Sequence, residues 1–337
     1  MKGLREMKNV NLIDKLKVEN KYQFNVALPN ELFTLLNEWK EDDEITSTHI
    51  PFVYSYLYFI TYMYRYGKYS NWCPSVEEIK EVLGVSKISK HHNYIIKKNG
   101  VLDTKNLTLT TNNLSIGYTW FDESVNNKEK LDRVKVETLN DSGIDIKQFK
   151  EFHSITNRYT IKLPKFAYYR DVNEYNDKHI NCDGTFYESE NTTMLDIRVF
   201  NFCMSKDDLG CTAFYLYAYL KHKNDLFGGY DASHIRLANE LGLSDATIKK
   251  YRDALRSYNM VYLKHNMEYF SPTMDNDKRK VSTNITNNFE IFNSEPMEFN
   301  KFKRVKDKTS QYDSNLDYTE QFKETKGIDI DENCLPF

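Results

Sequence analysis

Apolar residues recur at helical spacing on both sides of a glycine between residues 233 and 258, which predicts two helices joined by a tight turn. The apolar positions are Leu237, Ala238, Leu241, Ile248, Tyr251 and Leu255. Ser233 and Ser244 are suited to be N-caps, because a serine oxygen can accept a backbone N–H of the first helical turn. Gly242 suits the end of the first helix, since glycine adopts the left-handed conformation without a Cβ clash.

A second stretch, residues 75–98, repeats this pattern. Its Leu-Gly-Val-Ser turn corresponds to the Leu-Gly-Leu-Ser turn at 241–244, and Ser75 precedes its turn by the same spacing as Ser233. Ser75 together with Glu78 predicts a capping box. Each helix pair also follows a run rich in aromatic residues that predicts a buried helix. The repeat therefore predicts a duplicated module rather than a solenoid, which needs shorter periods and more copies.

Alternating apolar and polar residues predict strands around these helices. The predicted strands are 22–28, 101–102, 107–109, 114–118, 159–163, 260–263 and 267–271. Helices followed by a β-hairpin are the order of a winged helix. The tip of the first hairpin is expected near Asn112 and Asn113, and Lys278–Lys280 on or near the second hairpin.

We therefore expect an α+β chain, mainly α with small β-hairpins, that contains two tandem winged-helix domains and a disordered C-terminal tail. The predicted parts are a flexible arm (1–20), winged-helix domain 1 (21–121), a linker with a short helix (122–157), winged-helix domain 2 (158–291) and a tail with a partner-binding tip (292–337). The tail is predicted to be disordered because it has no apolar period that could offset the entropy of ordering.

The second helix of each pair carries the candidate DNA contacts, since a DNA-reading helix needs one anchored face and one exposed basic face. In the first pair they are Lys87, Ser89, Lys90, His91, Asn93 and Lys97. In the second pair they are Thr247, Lys249, Lys250, Arg252 and Arg256. Lysine and arginine would neutralise phosphates, and a few side chains would read base edges. For one isolated match, ordinary helices with a solvated basic face are an equal alternative, but the repeat favours DNA binding.

The amino-acid composition adds little to the prediction of a DNA-binding protein. The net charge of −3 does not indicate nucleic-acid binding, but the local distribution of charge is what attracts phosphates. The five cysteines form no C-x-x-C pair, which disfavours a disulfide framework. The N-terminus lacks the apolar core of a signal peptide, and no stretch approaches the roughly 20 apolar residues of a membrane span. We expect a cytoplasmic protein without a membrane association.

Enzymatic chemistry has little support in the sequence. The chain lacks the G-x-x-x-x-G-K-[S/T] motif, which argues against a P-loop ATPase. His91 and His92 are adjacent, unlike the His-x-His metal pair of rolling-circle nickases, and no tyrosine stands out as a nucleophile. We therefore expect a protein that is not an enzyme and that uses no cofactor or metal.

The tandem arrangement over roughly residues 22–290 resembles plasmid and phage replication initiators built from two winged helices. The two Leu-Gly-x-Ser turns, the aromatic helix before each and the basic helix after each carry this resemblance. It implies sequence-specific binding of double-stranded DNA at repeated origin sites. It leaves open that one winged helix serves dimerisation, in a homodimer, rather than DNA binding.

Residues 328–337 resemble the acidic tip of bacterial single-stranded-DNA-binding proteins, which carry Ile-Asp-Ile, several acids and then Leu-Pro-Phe. The matching residues are Ile328, Asp329, Ile330, Asp331, Glu332, Leu335, Pro336 and Phe337. The chain departs from that pattern at Asn333 and Cys334, where further acids are usual. The resemblance implies recruitment of host replisome proteins that recognise such tips, with Phe337 entering a pocket and the acids steering the encounter.

Two other classes of function remain open. A transcriptional regulator could use the same winged helices at a promoter, and the tip would then be irrelevant. A single-strand-binding or replisome accessory protein would instead need exposed aromatic stacking surfaces, for which Tyr94 and Tyr258 are the candidates.

Overall fold

A computed structural model of the 337-residue chain gives the architecture. The structure describes residues 12–16, 24–67, 72–113, 115–120, 134–140, 142–152, 160–168, 191–267 and 279–299. Helices and small antiparallel sheets make it an α+β protein, as the sequence predicts. The chain divides into two compact units, residues 1–222 and 223–337.

The first unit contains most of the helices. They are α1 (Leu12–Lys15), α2 (Glu31–Glu41), α3 (Ile50–Arg65), α4 (Val76–Val82), α5 (Asn93–Ile96), α6 (Val101–Thr104), α7 (Ile146–Phe152), α8 (Lys165–Tyr168), α9 (Ile197–Ser205) and the larger part of α10 (Gly210–Phe227). Its strands are β1 (Asn25–Pro29), β2 (Thr108–Thr111), β3 (Ser115–Trp120), β4 (Val134–Thr138), β5 (Ile161–Pro164) and β6 (Thr192–Asp196).

Helix α3 is the centre of the core of the first unit. Every residue from Ile50 to Tyr62 is buried, which confirms the predicted buried aromatic helix. Its rings pack against those of other helices: Tyr54 lies 5.0 Å from Phe33, and Tyr58 lies 4.9 Å from Phe214. Such aromatic pairs contribute about 0.5–1.5 kcal/mol each beyond the area they bury.

The strands of the first unit pair across long separations in the sequence. β1 pairs antiparallel with β6, β2 with β5, and β3 with β4. The predicted hairpin with its tip near Asn112 and Asn113 is therefore wrong, because its two strands bond to different partners. Residues 101–102, predicted as a strand, begin helix α6 instead.

A buried ion pair fixes β2 against β5. The Lys162 ammonium on β5 lies 2.6 Å from the Asp103 carboxylate and also donates to the Lys97 carbonyl at 3.0 Å. The same carboxylate accepts from the hydroxyls of Thr108 and Thr110, both at 2.6 Å. Together these bonds satisfy buried charged groups that would otherwise be costly, and they connect β2 and β5 through α6.

The second unit contains the end of α10, the helices α11 (His234–Leu241) and α12 (Asp245–Ser257), and the strands β7 (Tyr230–Asp231), β8 (Val261–Lys264) and β9 (Thr283–Thr286). The strands form an antiparallel sheet in the order β7-β9-β8. The buried Asn284 on β9 donates from its amide to the carbonyls of Tyr230 and Ala232 at 3.0 and 3.2 Å. β8 corresponds to the predicted strand at 260–263 and pairs with β9, whereas residues 268–271 of the predicted partner strand 267–271 lie outside the described residues.

The compact units do not coincide with the predicted domains. β1 and β2 fall in predicted domain 1, whereas their partners β6 and β5 fall in predicted domain 2. The predicted linker contains the expected helix, α7, and also β4. In the predicted flexible arm, Leu12 and Leu16 are buried, and the Leu12 N–H donates to Asn201 Oδ1 on α9 at 3.1 Å. Of the predicted tail, residues 300–337 lie outside the described residues.

Within the described parts of the chain, none of the helices combines the length and the hydrophobicity required to cross a membrane.

Candidate nucleic-acid interface

Helices α11 and α12 form the predicted helix pair of the second unit. The Ser233 hydroxyl accepts the N–H of Arg236 at 3.1 Å, and the Ser244 hydroxyl accepts the N–H of Thr247 at 3.2 Å, so both predicted N-caps are confirmed. Gly242 has a φ of 65° and ends α11 in the left-handed conformation, as predicted. These local contacts satisfy backbone groups that helix ends leave unpaired.

The apolar face of this pair is turned inward. Leu237, Leu241, Ile248 and Leu255 are all buried. This burial anchors one side of α12 and leaves its other side to carry the polar residues.

A connection between β8 and β9 lies beside this helix pair in the sequence. It runs from residue 265 to residue 282, of which 268–278 lie outside the described residues. Arg279 and Lys280 belong to this connection, as expected for residues on or near a hairpin. Lys280 is exposed and Arg279 partly exposed.

The accessible side of α12 carries three of the predicted DNA contacts. Lys250 is exposed, and Thr247 and Lys249 are partly exposed. The Lys250 ammonium lies 5.2 Å from the centre of the Tyr251 ring. The start of α12 therefore presents a hydroxyl and two amines, which suit phosphate oxygens and base edges.

Arg252 and Arg256, the other two predicted contacts on α12, are buried. The Arg256 guanidinium lies 3.9 Å over the Phe299 ring and 3.6 Å from Asp253 Oδ1. Residues 287–299 cross this end of the helix, and the Met297 N–H donates to the Ser257 carbonyl at 2.8 Å. Because both side chains are buried, these arginines do not extend the exposed basic face of α12, and Arg256 packs against the segment that crosses the end of the helix.

No motif in the sequence points to His234 as a functional residue. It begins α11, and its Nε2 lies 3.5 Å from Asp245 Oδ1 at the start of α12. Burial lowers the pKa of His234, and the nearby Arg252 lowers it further, whereas Asp245 opposes this shift. The His234 side chain thus lies between the starts of the two helices, with its pKa below the ordinary value.

The first helix pair begins as predicted. In α4 the Ser75 hydroxyl accepts the Glu78 N–H at 3.2 Å, and the Glu78 carboxylate accepts the Ser75 N–H at 2.8 Å, so the capping box is confirmed. Gly84 follows with a φ of 74°.

The predicted second helix of this pair is wrong in its extent, because only Asn93–Ile96 is helical. In a continuous α-helix, the Asn93 N–H would bond to the Ser89 carbonyl four residues earlier. Here the buried Lys80 ammonium donates a hydrogen bond to that carbonyl at 3.0 Å and another to the Asn93 side-chain oxygen at 2.5 Å. The Asn93 N–H bonds to the Lys90 carbonyl instead. A cation from α4 thereby replaces the helical bond.

Except for Asn93, which begins α5, the predicted contacts of the first pair consequently lie outside any helix. Lys87, Lys90, His91 and Lys97 are exposed. Lys87 lies 2.9 Å from the Glu81 carboxylate. Ser89 and Asn93 are partly buried, and both are bound to Lys80.

Among the described residues, no group of three or more His, Cys, Asp and Glu side chains could hold a metal ion. The predicted tip, residues 328–337, lies outside the described residues.

Family models, curated proteins and solved structures were compared with the chain, and none of them matches it.

Proposed function

We propose that the protein is a sequence-specific double-stranded-DNA-binding replication initiator whose second unit is a winged helix that reads DNA through α12. One observation carries this proposal: a capped helix pair is followed by an antiparallel hairpin, and the accessible side of the second helix holds Thr247, Lys249 and Lys250.

The topology of the second unit supports the winged-helix assignment. Its elements follow the order α10, β7, α11, α12, β8 and β9, and β9 lies between β7 and β8 in the sheet. In a winged helix, this arrangement leaves the second helix of the pair free on one side, with the hairpin connection as the wing. Arg279 and Lys280 lie on that connection and can contact phosphates there.

The dimensions of α12 suit a major groove. The helix has 13 residues and is therefore about 20 Å long, and the groove of B-DNA is about 12 Å wide. Residues at the start of a recognition helix are those that contact base edges. Thr247 and Lys250 are placed to read bases, and Lys249 to neutralise a phosphate.

The first unit contributes differently under this proposal. Its α5 has only four residues, about 6 Å of helix, which is too short to follow a groove. The exposed Lys87, Lys90 and Lys97 can add phosphate contacts without reading sequence. The main reader of sequence is therefore α12.

The initiator role rests on the resemblance of the tandem organisation and of the tip. Residues Ile328, Asp329, Ile330, Asp331, Leu335, Pro336 and Phe337 would recruit host replisome proteins to the bound origin. An acidic, apolar peptide of this kind suits a basic-rimmed apolar pocket on a partner. The protein would act in the cytoplasm, without a cofactor and without enzymatic chemistry of its own.

The decisive test is a fluorescence-anisotropy titration against duplex DNA from the region flanking the gene. We expect salt-sensitive binding, and the double variant Lys249→Ala/Lys250→Ala should lose sequence preference and reduce the slope of log K against log salt by about 1, the contribution of the single phosphate assigned to Lys249. The matched variant Lys87→Ala/Lys90→Ala should keep sequence preference. If Lys87→Ala/Lys90→Ala lost sequence preference and Lys249→Ala/Lys250→Ala kept it, the assignment of α12 as the reader would be refuted.

A second arm addresses the tip. A variant lacking residues 328–337 should bind the duplex as the full chain does, but should no longer capture purified host proteins that recognise single-strand-binding-protein tips. Retention of that capture would refute the proposed role of the tip, and binding confined to a promoter would favour a transcriptional regulator.

A further inference from the structure

The segment from Lys87 to Lys98 has a composition suited to an anionic ligand. It contains Lys87, Lys90, Lys97 and Lys98, all of them exposed, and no acidic residue. Two large apolar side chains are also exposed on it: Ile88 is 89 % accessible and Tyr94 is 44 % accessible. Aromatic and basic side chains interleaved in this way are typical of surfaces that bind single-stranded nucleic acid.

The Tyr94 ring is held in place from behind. Its hydroxyl lies 2.7 Å from His49 Nδ1, within hydrogen-bonding distance. The His49 ring contacts that of His92 at 4.8 Å, and His92 packs on Phe52 at 3.9 Å. One end of the tyrosine is thus bound to the core while its ring remains accessible.

The histidines behind Tyr94 are held neutral. Burial lowers the pKa of His49, and His91 lowers it further. Burial, together with His49, His91 and Lys80, lowers the pKa of His92 to about 4. A neutral His49 can accept the tyrosine hydroxyl, so this support persists at neutral pH.

The backbone beneath the ring is also fixed. Lys80 is buried and binds both the Ser89 carbonyl and the Asn93 side chain, one on each side of the turn that leads to Tyr94. Fixing an aromatic platform in advance reduces the entropy lost when a ligand binds.

We propose that this segment of the first unit binds a single strand of DNA, with one base stacked on Tyr94 and the phosphates of neighbouring nucleotides contacted by the exposed lysines. The site is distinct from the duplex reader on α12. It gives the chain a second nucleic-acid activity, one that would act on DNA whose strands have been separated.

Stacking needs no particular base, because every base has a π-face. The short α5 offers no rod to follow a duplex groove, whereas a single strand can bend to place a base on an isolated ring. The chemistry therefore favours single-stranded over double-stranded DNA at this segment, and predicts little sequence preference.

The test is an anisotropy titration of the full chain with a fluorescein-labelled oligothymidylate of about 16 nucleotides. Tyr94→Ala should weaken binding by about fivefold or more, the range expected for the loss of one base–aromatic stack. Tyr94→Phe keeps the aromatic ring and should lose less affinity for the oligonucleotide than Tyr94→Ala. The matched control is Tyr262→Ala, which removes a tyrosine that is 56 % exposed on β8 of the second unit, and should bind like the parent chain.

A second variant does not touch the fold. Lys90→Ala/Lys97→Ala/Lys98→Ala changes only exposed side chains and should reduce the single-strand salt slope by about 2. The inference would be overturned if the parent chain did not bind the oligonucleotide at low salt, or if neither this variant nor Tyr94→Ala weakened binding. Sequence preference among duplexes, measured in parallel, reports on α12, because the lysines of this segment contact phosphates without reading sequence, so failure of the proposed function and failure of this inference are distinguishable.

Discussion

Replacing Asp103 with alanine should destabilise the first unit strongly, because it removes the partner of a buried cation. The Lys162 side chain is only 4 % exposed and would keep a single acceptor, the Lys97 carbonyl. Thr108 and Thr110 would also lose the carboxylate that accepts their hydroxyls. Removing one partner of a buried ion pair costs about 3–5 kcal/mol in the free energy of unfolding.

The chain offers a matched control at the surface. Lys105 and Glu44 form a pair of similar length, 2.8 Å, but their side chains are 33 % and 39 % exposed. Lys105→Ala should therefore cost less than about 1 kcal/mol. The double variant Asp103→Ala/Lys162→Met should recover much of the loss, since it leaves no buried charge without a partner.

Urea unfolding followed by tryptophan fluorescence measures this difference selectively. All three tryptophans, Trp39, Trp72 and Trp120, belong to the first unit, so the signal reports on that unit. The free energy of unfolding comes from the midpoint and the slope of the transition. A loss below about 1 kcal/mol for Asp103→Ala, equal to that of Lys105→Ala, would refute the view that the ion pair is a buried anchor.

Three further predictions concern the first unit. Gly84→Ala should lower the free energy of unfolding by about 1 kcal/mol, because Gly84 has a φ of 74° and the added Cβ would contact nothing within 4 Å, leaving only backbone strain; an unchanged urea midpoint would contradict this. Ser75→Ala should lower the free energy of unfolding by about 1 kcal/mol through loss of the capping box. The same urea measurement checks this, and Val76→Ala, which keeps the capping box, should not show that loss. Burial raises the pKa of Asp103, but hydrogen bonds from Lys162 and Thr108 more than reverse this, so its folded pKa is below the ordinary value. The stability that the Asp103 carboxylate contributes should therefore be present above about pH 4 and be lost as the pH falls through the folded pKa. Asp103→Asn should accordingly make the free energy of unfolding less dependent on pH in the acid range.

The residues that begin and end the helices of this protein act through near neighbours in the sequence. The capping box of Ser75 and Glu78, the caps at Ser233 and Ser244 and the left-handed Gly242 all form as the sequence predicts. Each depends on partners within about four positions, so no distant segment can easily overrule it. The α3 helix was equally predictable, since a helix that is apolar on every side can only be buried.

Strand pairing could not be predicted in the same way. β2 and β5 each alternate as strands should, but alternation does not identify a partner. The pairing brings together Asp103 and Lys162, which are 59 positions apart in the sequence and which no local pattern connects. The sequence predicted neither β6 nor α9, because β6 is a short strand that follows a long polar stretch.

The candidate site shows the same division. Its helix pair, its caps and the accessible Thr247, Lys249 and Lys250 follow from local pattern, whereas the burial of Arg252 and Arg256 and the short α5 do not. Arg256 is covered by Phe299, and α5 is shortened by Lys80. Helical periodicity predicts which residues share a face of a helix. Only packing determines whether that face is exposed or covered, because the residues that cover it come from segments outside the helix.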